Sequence, residues 1–92
     1  MSQQCIVEIS LYPLNQDYSD IIAGFIRRLQ QVSEFELSIS TTSTQLKGPY
    51  AQVFETLGKE IQRVHSEVGQ AILVCKFLAG DELKPGLYQG EL

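Results

Sequence analysis

The chain has 92 residues, enough for one domain with a single modest core. Apolar residues make up 43% of it and charged residues 20%, which excludes a disordered chain. The formal net charge is −4, from 11 acidic and 7 basic residues with no basic cluster, which argues against a nucleic-acid backbone as partner.

No run of 18 apolar residues occurs, so no membrane-spanning segment is expected. The opening "MSQQCIVEIS" lacks the basic start and long apolar region of a signal peptide, so the expected location is cytoplasmic. Cys5 and Cys75 each sit inside an apolar run and are expected as two buried free thiols rather than a disulfide. There is no CxxC, and the single histidine, His65, has no cysteine beside it, so no zinc site is expected.

In chain order, "CIVEISLY" (5–12) is β-branched and alternating, which predicts a strand, and Pro13 ends it by removing a ladder donor. In "DYSDIIAGFIRRLQQV", Ile21, Ile22, Phe25, Ile26, Leu29 and Val32 recur at spacings of three and four. That is one face of a helix. Asp17 is placed to cap it, and Asp20 lies near the positive end of its dipole. Gly24 costs about 1 kcal/mol there relative to Ala, and close packing on a sheet would explain it. "FELSIST" (35–41) and "STQLKG" (43–48) predict a strand hairpin, with Pro49 at the first position of a second helix. That helix carries Val53, Phe54, Leu57, Ile61, Val64 and Val68 on one stripe and stops at Gly69. Arg27, Arg28, Lys59, Glu60 and Arg63 read as a solvated helical face, and His65 as a helix-end residue. "QAILVCKFL" (70–78) predicts the last strand. The remainder reads as a turn and a tail, docked through Leu87 and Tyr88.

The order β-α-β-β-α-β, with two one-sided helices, predicts an α+β, ferredoxin-like sandwich over residues 1–80 with a tail over 81–92. Its two helices should cover one face of a four-stranded antiparallel sheet. Alternation then assigns the faces. Cys5, Val7, Ile9 and Leu11 point one way, and Ile6, Glu8, Ser10 and Tyr12 the other. Ser38, Ser40, Ser43, Gln45 and Lys47 join the second set. If Lys76 faces away from the helices, Ile72, Val74 and Leu78 go with it. The face of Thr44 depends on whether the strand is regular beside the turn. The helix-free face is therefore mixed. That fits a surface half-covered by another subunit, with a polar recess inside it.

Two stretches, "VEISLYPLNQDY" and "STQLKG" about thirty residues later, resemble the YkoF-like family of thiamine/hydroxymethylpyrimidine-binding proteins and its single-domain relatives. The Val-Phe start of "YAQVFETL", the histidine of "RVHSE" and the closing apolar strand extend the resemblance from about Ile6 to Asp81. It implies a ferredoxin-like fold, no catalysis, and recognition of an aminopyrimidine. YkoF-like proteins carry two such domains, so the partner domain would come from a second copy of this chain. Lys47, before the glycine of the third strand, is closer to the basic residue of the YkoF type than to the acidic one common in single-domain relatives.

An aminopyrimidine presents a donor, two acceptors and a flat π-face, and hydroxyls can match both polarities. Six of the eleven residues from Ser38 to Gly48 carry hydroxyls. Ser43 and Thr44 are the leading candidate contacts, with Ser10 on the neighbouring strand. Tyr12 could stack or donate, and Glu8 could accept from the amino group or offset the thiazolium charge. The bland alternatives stand beside these: Ser and Thr bonding their own hairpin, Tyr12 capping the core, Glu8 paired with Lys76 or Lys47, and Asn15 as a turn residue. The expected function is non-catalytic binding of thiamine or its pyrimidine moiety by a homodimer or homotetramer, without cofactor or metal. A small-molecule isomerase or monooxygenase on the same fold is the alternative, and a small regulatory sensor a third.

Overall fold

A computed structural model describes residues 3–80 and 82–87. Within them the chain runs β1 (Gln4–Pro13), α1 (Tyr18–Gln30), β2 (Glu36–Ile39), β3 (Thr44–Pro49), α2 (Tyr50–Val68) and β4 (Ala71–Ala79). The four strands form one antiparallel sheet in the order β2-β3-β1-β4. Both helices pack on the same face. This is the ferredoxin-like arrangement that the alternating patterns predict, with β1 and β3 as neighbours.

The register brings the apolar positions of one face into rows. Val7 lies between Leu46 and Phe77, and Ile9 between Thr44 and Cys75. These rows meet Phe25 and Leu29 of α1 and Val53, Leu57 and Val64 of α2 in a single core. Burying each such side chain stabilises the fold by about 1.5–3 kcal/mol. Phe54 belongs to the sequence stripe but turns outward, and its ring stacks on Phe77 at 4.9 Å with a 6° interplanar angle.

Several local expectations shift. Asp17 occupies the N-cap of α1, but its side chain makes no capping bond. Instead Asn15 Oδ1 accepts the Asp17 N–H at 2.8 Å, the turn role expected of Asn15. Pro49 is the last residue of β3 and the N-cap of α2, one position before the helix. A ψ of 138° keeps it extended. Gly24 does not abut the sheet: a Cβ there would meet Arg28 Nη1 at 3.3 Å and Arg27 Nη2 at 3.9 Å. The helical face expected to be solvated is bridged in part, because Arg28 Nε donates to Glu60 Oε1 at 2.7 Å and ties α1 to α2.

Among the described glycines, Gly48 has the tightest surroundings. A Cβ there would fall 2.6 and 2.8 Å from the Phe35 ring and 3.3 Å from Val53. The glycine of "STQLKG" thus lets Phe35 lie flat against β3. Gly69 closes α2 at a φ of +105°, and its N–H reaches the carbonyls of Val64 and His65. Cys5 and Cys75 are free thiols as expected, but only Cys5 is fully buried and Cys75 is half-buried.

Candidate functional site

The hairpin between β2 and β3 is a tight turn over Ser40–Ser43. Ser40 N–H donates to the Ser43 carbonyl at 2.9 Å. The Ser40 hydroxyl donates to the same carbonyl at 3.1 Å and accepts the Ser43 N–H at 3.2 Å. Part of the hydroxyl wealth of this stretch is therefore spent on the turn itself. Ser10 Oγ, from β1, donates to the Thr42 carbonyl at 3.3 Å and moors the turn to the sheet.

Four of the five expected site residues converge on the helix-free face. Glu8, Ser10, Tyr12 and Ser43 line one recess of about 270 Å³, completed by Thr42, Val74 and Lys76. Ser43 Oγ donates to Glu8 Oε2 at 3.4 Å, and Lys76 Nζ stands 3.9 Å from Glu8 Oε1. The carboxylate is thus held between a hydroxyl and an ammonium of its own chain. The ion pair is exposed and contributes little to stability, so a ligand can replace it at small cost.

Thr44 separates from the other four. It pairs with Ile9 and faces the helices, and at 4% exposure it is the buried polar residue of the core among the described residues. The strand is regular here, so Thr44 falls on the side of Leu46. It lines a smaller cavity of about 120 Å³ under α1, between Ile9, Ile22, Phe25 and Ile26. Ser10, Thr42 and Ser43 border both cavities, so the turn is the wall between them.

Lys76 does face away from the helices, with Ile72, Val74 and Leu78 beside it. The face is mixed, as alternation predicts. Tyr12 and Ile72 are each 53% exposed and Val74 44%. Ile6, on the same face, is only 8% exposed.

The cover over Ile6 is residues 82–87, within the turn and tail expected from the sequence. Lys47 Nζ donates to the Leu83 carbonyl at 2.8 Å, and Gly86 N–H donates to Gln45 Oε1 at 2.7 Å. Leu87 is 89% exposed and is no docking residue. The expected contact through Tyr88 lies outside the described residues. Glycines at 80 and 86 and Pro85 gave the only sequence signal of a defined path.

The cysteines stand on the opposite, helix-facing side of the sheet, where burial pushes both thiols above their ordinary value. His65 lines a separate cleft near the end of α2 with Leu14, Ile61 and Gln70. Among the described residues no three His, Cys, Asp or Glu side chains come together as metal ligands.

Similar folds occur in proteins from bacteria and an archaeon. A Thermotoga maritima protein provisionally assigned to thiamine biosynthesis or salvage superposes with a TM-score of 0.73 at 12% identity, over 80% of this chain and 81% of its own. A hypothetical protein of Methanocaldococcus jannaschii gives 0.76 at 14% identity, over 89% and 86%. A domain of unknown function from Bacillus cereus gives 0.73 at 19% identity, over 91% and 83%. At these identities the likeness is one of fold. No curated protein matches the chain. The YKOF-related family model matches residues 4–81, from the start of β1 to just past β4, and the chain belongs to that family.

Proposed function

We propose that this protein binds thiamine or its hydroxymethylpyrimidine moiety, unchanged, in the recess of Glu8, Ser10, Tyr12 and Ser43. The observation that supports this most is the carboxylate of Glu8, half-exposed and within 3.4 Å of the Ser43 hydroxyl, in a recess that the exposed Tyr12 also lines. Such a group accepts from an exocyclic amine or faces a thiazolium cation. Ser10 and Ser43 match ring nitrogens, and Tyr12 offers a π-face. The Thermotoga maritima neighbour's assignment to thiamine biosynthesis or salvage points the same way. The role would be sequestering, delivering or salvaging the vitamin in the cytoplasm, in a homo-oligomer.

A second seat is favoured by one observation: Thr44, a buried hydroxyl, lines a small space beside Phe25 that the hydroxyl residues of the turn also border. Calorimetry on two variants separates the seats. Glu8→Gln should weaken thiamine binding about tenfold, the value of one charge-assisted contact. Thr44→Val should leave it within about twofold, since it is not in contact with that ligand. The reverse pattern moves the ligand under α1. Thiamine recovered as a new product after incubation would favour the enzymatic alternative.

A further inference from the structure

On the helix-free face, β1 and β4 place residues in facing pairs: Tyr12 with Ile72, Ser10 with Val74, Glu8 with Lys76, and Ile6 with Leu78. These pairs form one track. Its polar end is the recess described above. Its other end, beyond Glu8 and Lys76, is a larger cavity of about 890 Å³ whose floor includes Ile6, Gln45 and Leu78. Residues 82–87 form its outer wall, with Leu83, Lys84 and Pro85 turned to it. Glu8 and Lys76 border both cavities, so their ion pair marks the boundary. From Ser10 to Ile6 the track is four residues long, about 13 Å at the usual strand rise. One six-membered ring fills only part of that.

The outer wall is held rather than loosely draped. It is fastened at both ends, by Lys47 Nζ on the Leu83 carbonyl and by Gly86 N–H on Gln45 Oε1. Gly86 adopts a φ of +121°, a conformation that L side chains rarely take. Gln45 is the β3 neighbour of Glu8. The fastening point therefore lies one strand away from the carboxylate that would meet the ligand.

We infer that residues 82–87 are a wall of the ligand site, and that this wall selects a two-ring cation of the thiamine type over its single-ring pyrimidine fragment. The inference rests on the reading that the Glu8 recess holds the pyrimidine. With that ring against Ser10 and Ser43, the cationic second ring passes Glu8 and enters the walled cavity. Ile6, Leu78 and Leu83 cover its apolar edges there. A lone hydroxymethylpyrimidine ends at Glu8 and never meets the wall.

The test is titration calorimetry of the full chain with thiamine and with hydroxymethylpyrimidine, in the native protein and in Gly86→Pro. Proline removes the donated N–H and cannot adopt the positive φ, so it unfastens the wall without altering the sheet. Gly86→Pro should weaken thiamine by roughly fivefold or more, the factor one lost hydrogen bond carries, and leave hydroxymethylpyrimidine within about twofold. Equal effects on both ligands, or none on either, overturn the inference while leaving the recess intact. A native protein that binds neither ligand overturns the recess reading and the inference together. Hydrogen exchange at the Gly86 amide of the native chain is the second readout: thiamine should slow it and hydroxymethylpyrimidine should not. Equal protection by both contradicts the assignment of the wall.

Discussion

Glu8 occupies a position that alternation alone assigns to the solvent side of β1, and the register then gives it three neighbours. Gln45 and Lys76 flank it across the sheet, and Ser43 Oγ reaches it from the turn. In the proposed reading this carboxylate would anchor the ligand, because its present partners are weak and replaceable. The two thiols show the opposite case. Burial disfavours the thiolate of Cys5 and of Cys75, so each folded pKa lies above its unfolded value. A raised thiol contributes stability that is complete below the unfolded pKa. That contribution is lost as pH rises through the ordinary value of 9.0 toward the folded one. The urea midpoint should therefore fall between one pH unit below and one above that value. In a Cys5→Val, Cys75→Val double variant the fall should be smaller. An unchanged slope would show that other groups dominate the alkaline limb.

Among the elements, the β2–β3 hairpin joins sequence economy to packing. Its turn uses Ser40 and Ser43 to bond its own backbone, which ends β2 at Ile39 rather than at the Thr41 that closes "FELSIST". The hairpin then delivers Gly48 opposite Cys5 and under the Phe35 ring. Gly48→Ala has no room for its methyl group, because the obstructing atoms belong to a flat ring wedged against β3. The expected cost is about 1–3 kcal/mol by overpacking, read as a lower urea midpoint with unchanged slope. A neutral result would mean that Phe35 swings clear at no cost. The helices are coupled by the Arg28–Glu60 pair as well as by the core, a contact invisible to each helix taken alone.

For the whole molecule, the helix-free face is where the proposed ligand site and the proposed assembly would both lie. Its Ile6 end is covered by residues 82–87, and its Tyr12, Ile72 and Val74 end is open. An open apolar cluster of this kind suits a second copy of the chain, and the proposed oligomer would use it. Ile72→Asp places a charge in that cluster and should shift sedimentation toward the monomer while the circular dichroism stays native. An unchanged sedimentation coefficient would put the contact elsewhere. Among the described residues no helix is long and apolar enough to cross a membrane.

Element order, strand faces and the apolar stripes were legible in the sequence. Periods of two and of 3.6 residues are local properties that only one layered arrangement can bury. The same alternation puts Glu8, Ser10, Tyr12 and Ser43 on one face. It left Thr44 open beside the turn, and tertiary structure settled it, because continuing the ladder without a bulge sends Thr44 into the core opposite Ile9. The Arg28–Glu60 bridge and the seat of Phe35 against Gly48 were likewise beyond local reading. They join residues 32 and 13 positions apart in the chain, and no periodicity reports on such distances. The wall over Ile6 needed the structure most of all. A short segment with glycine and proline has no pattern of its own, and its path is fixed by a lysine and a glutamine on a strand some forty residues earlier.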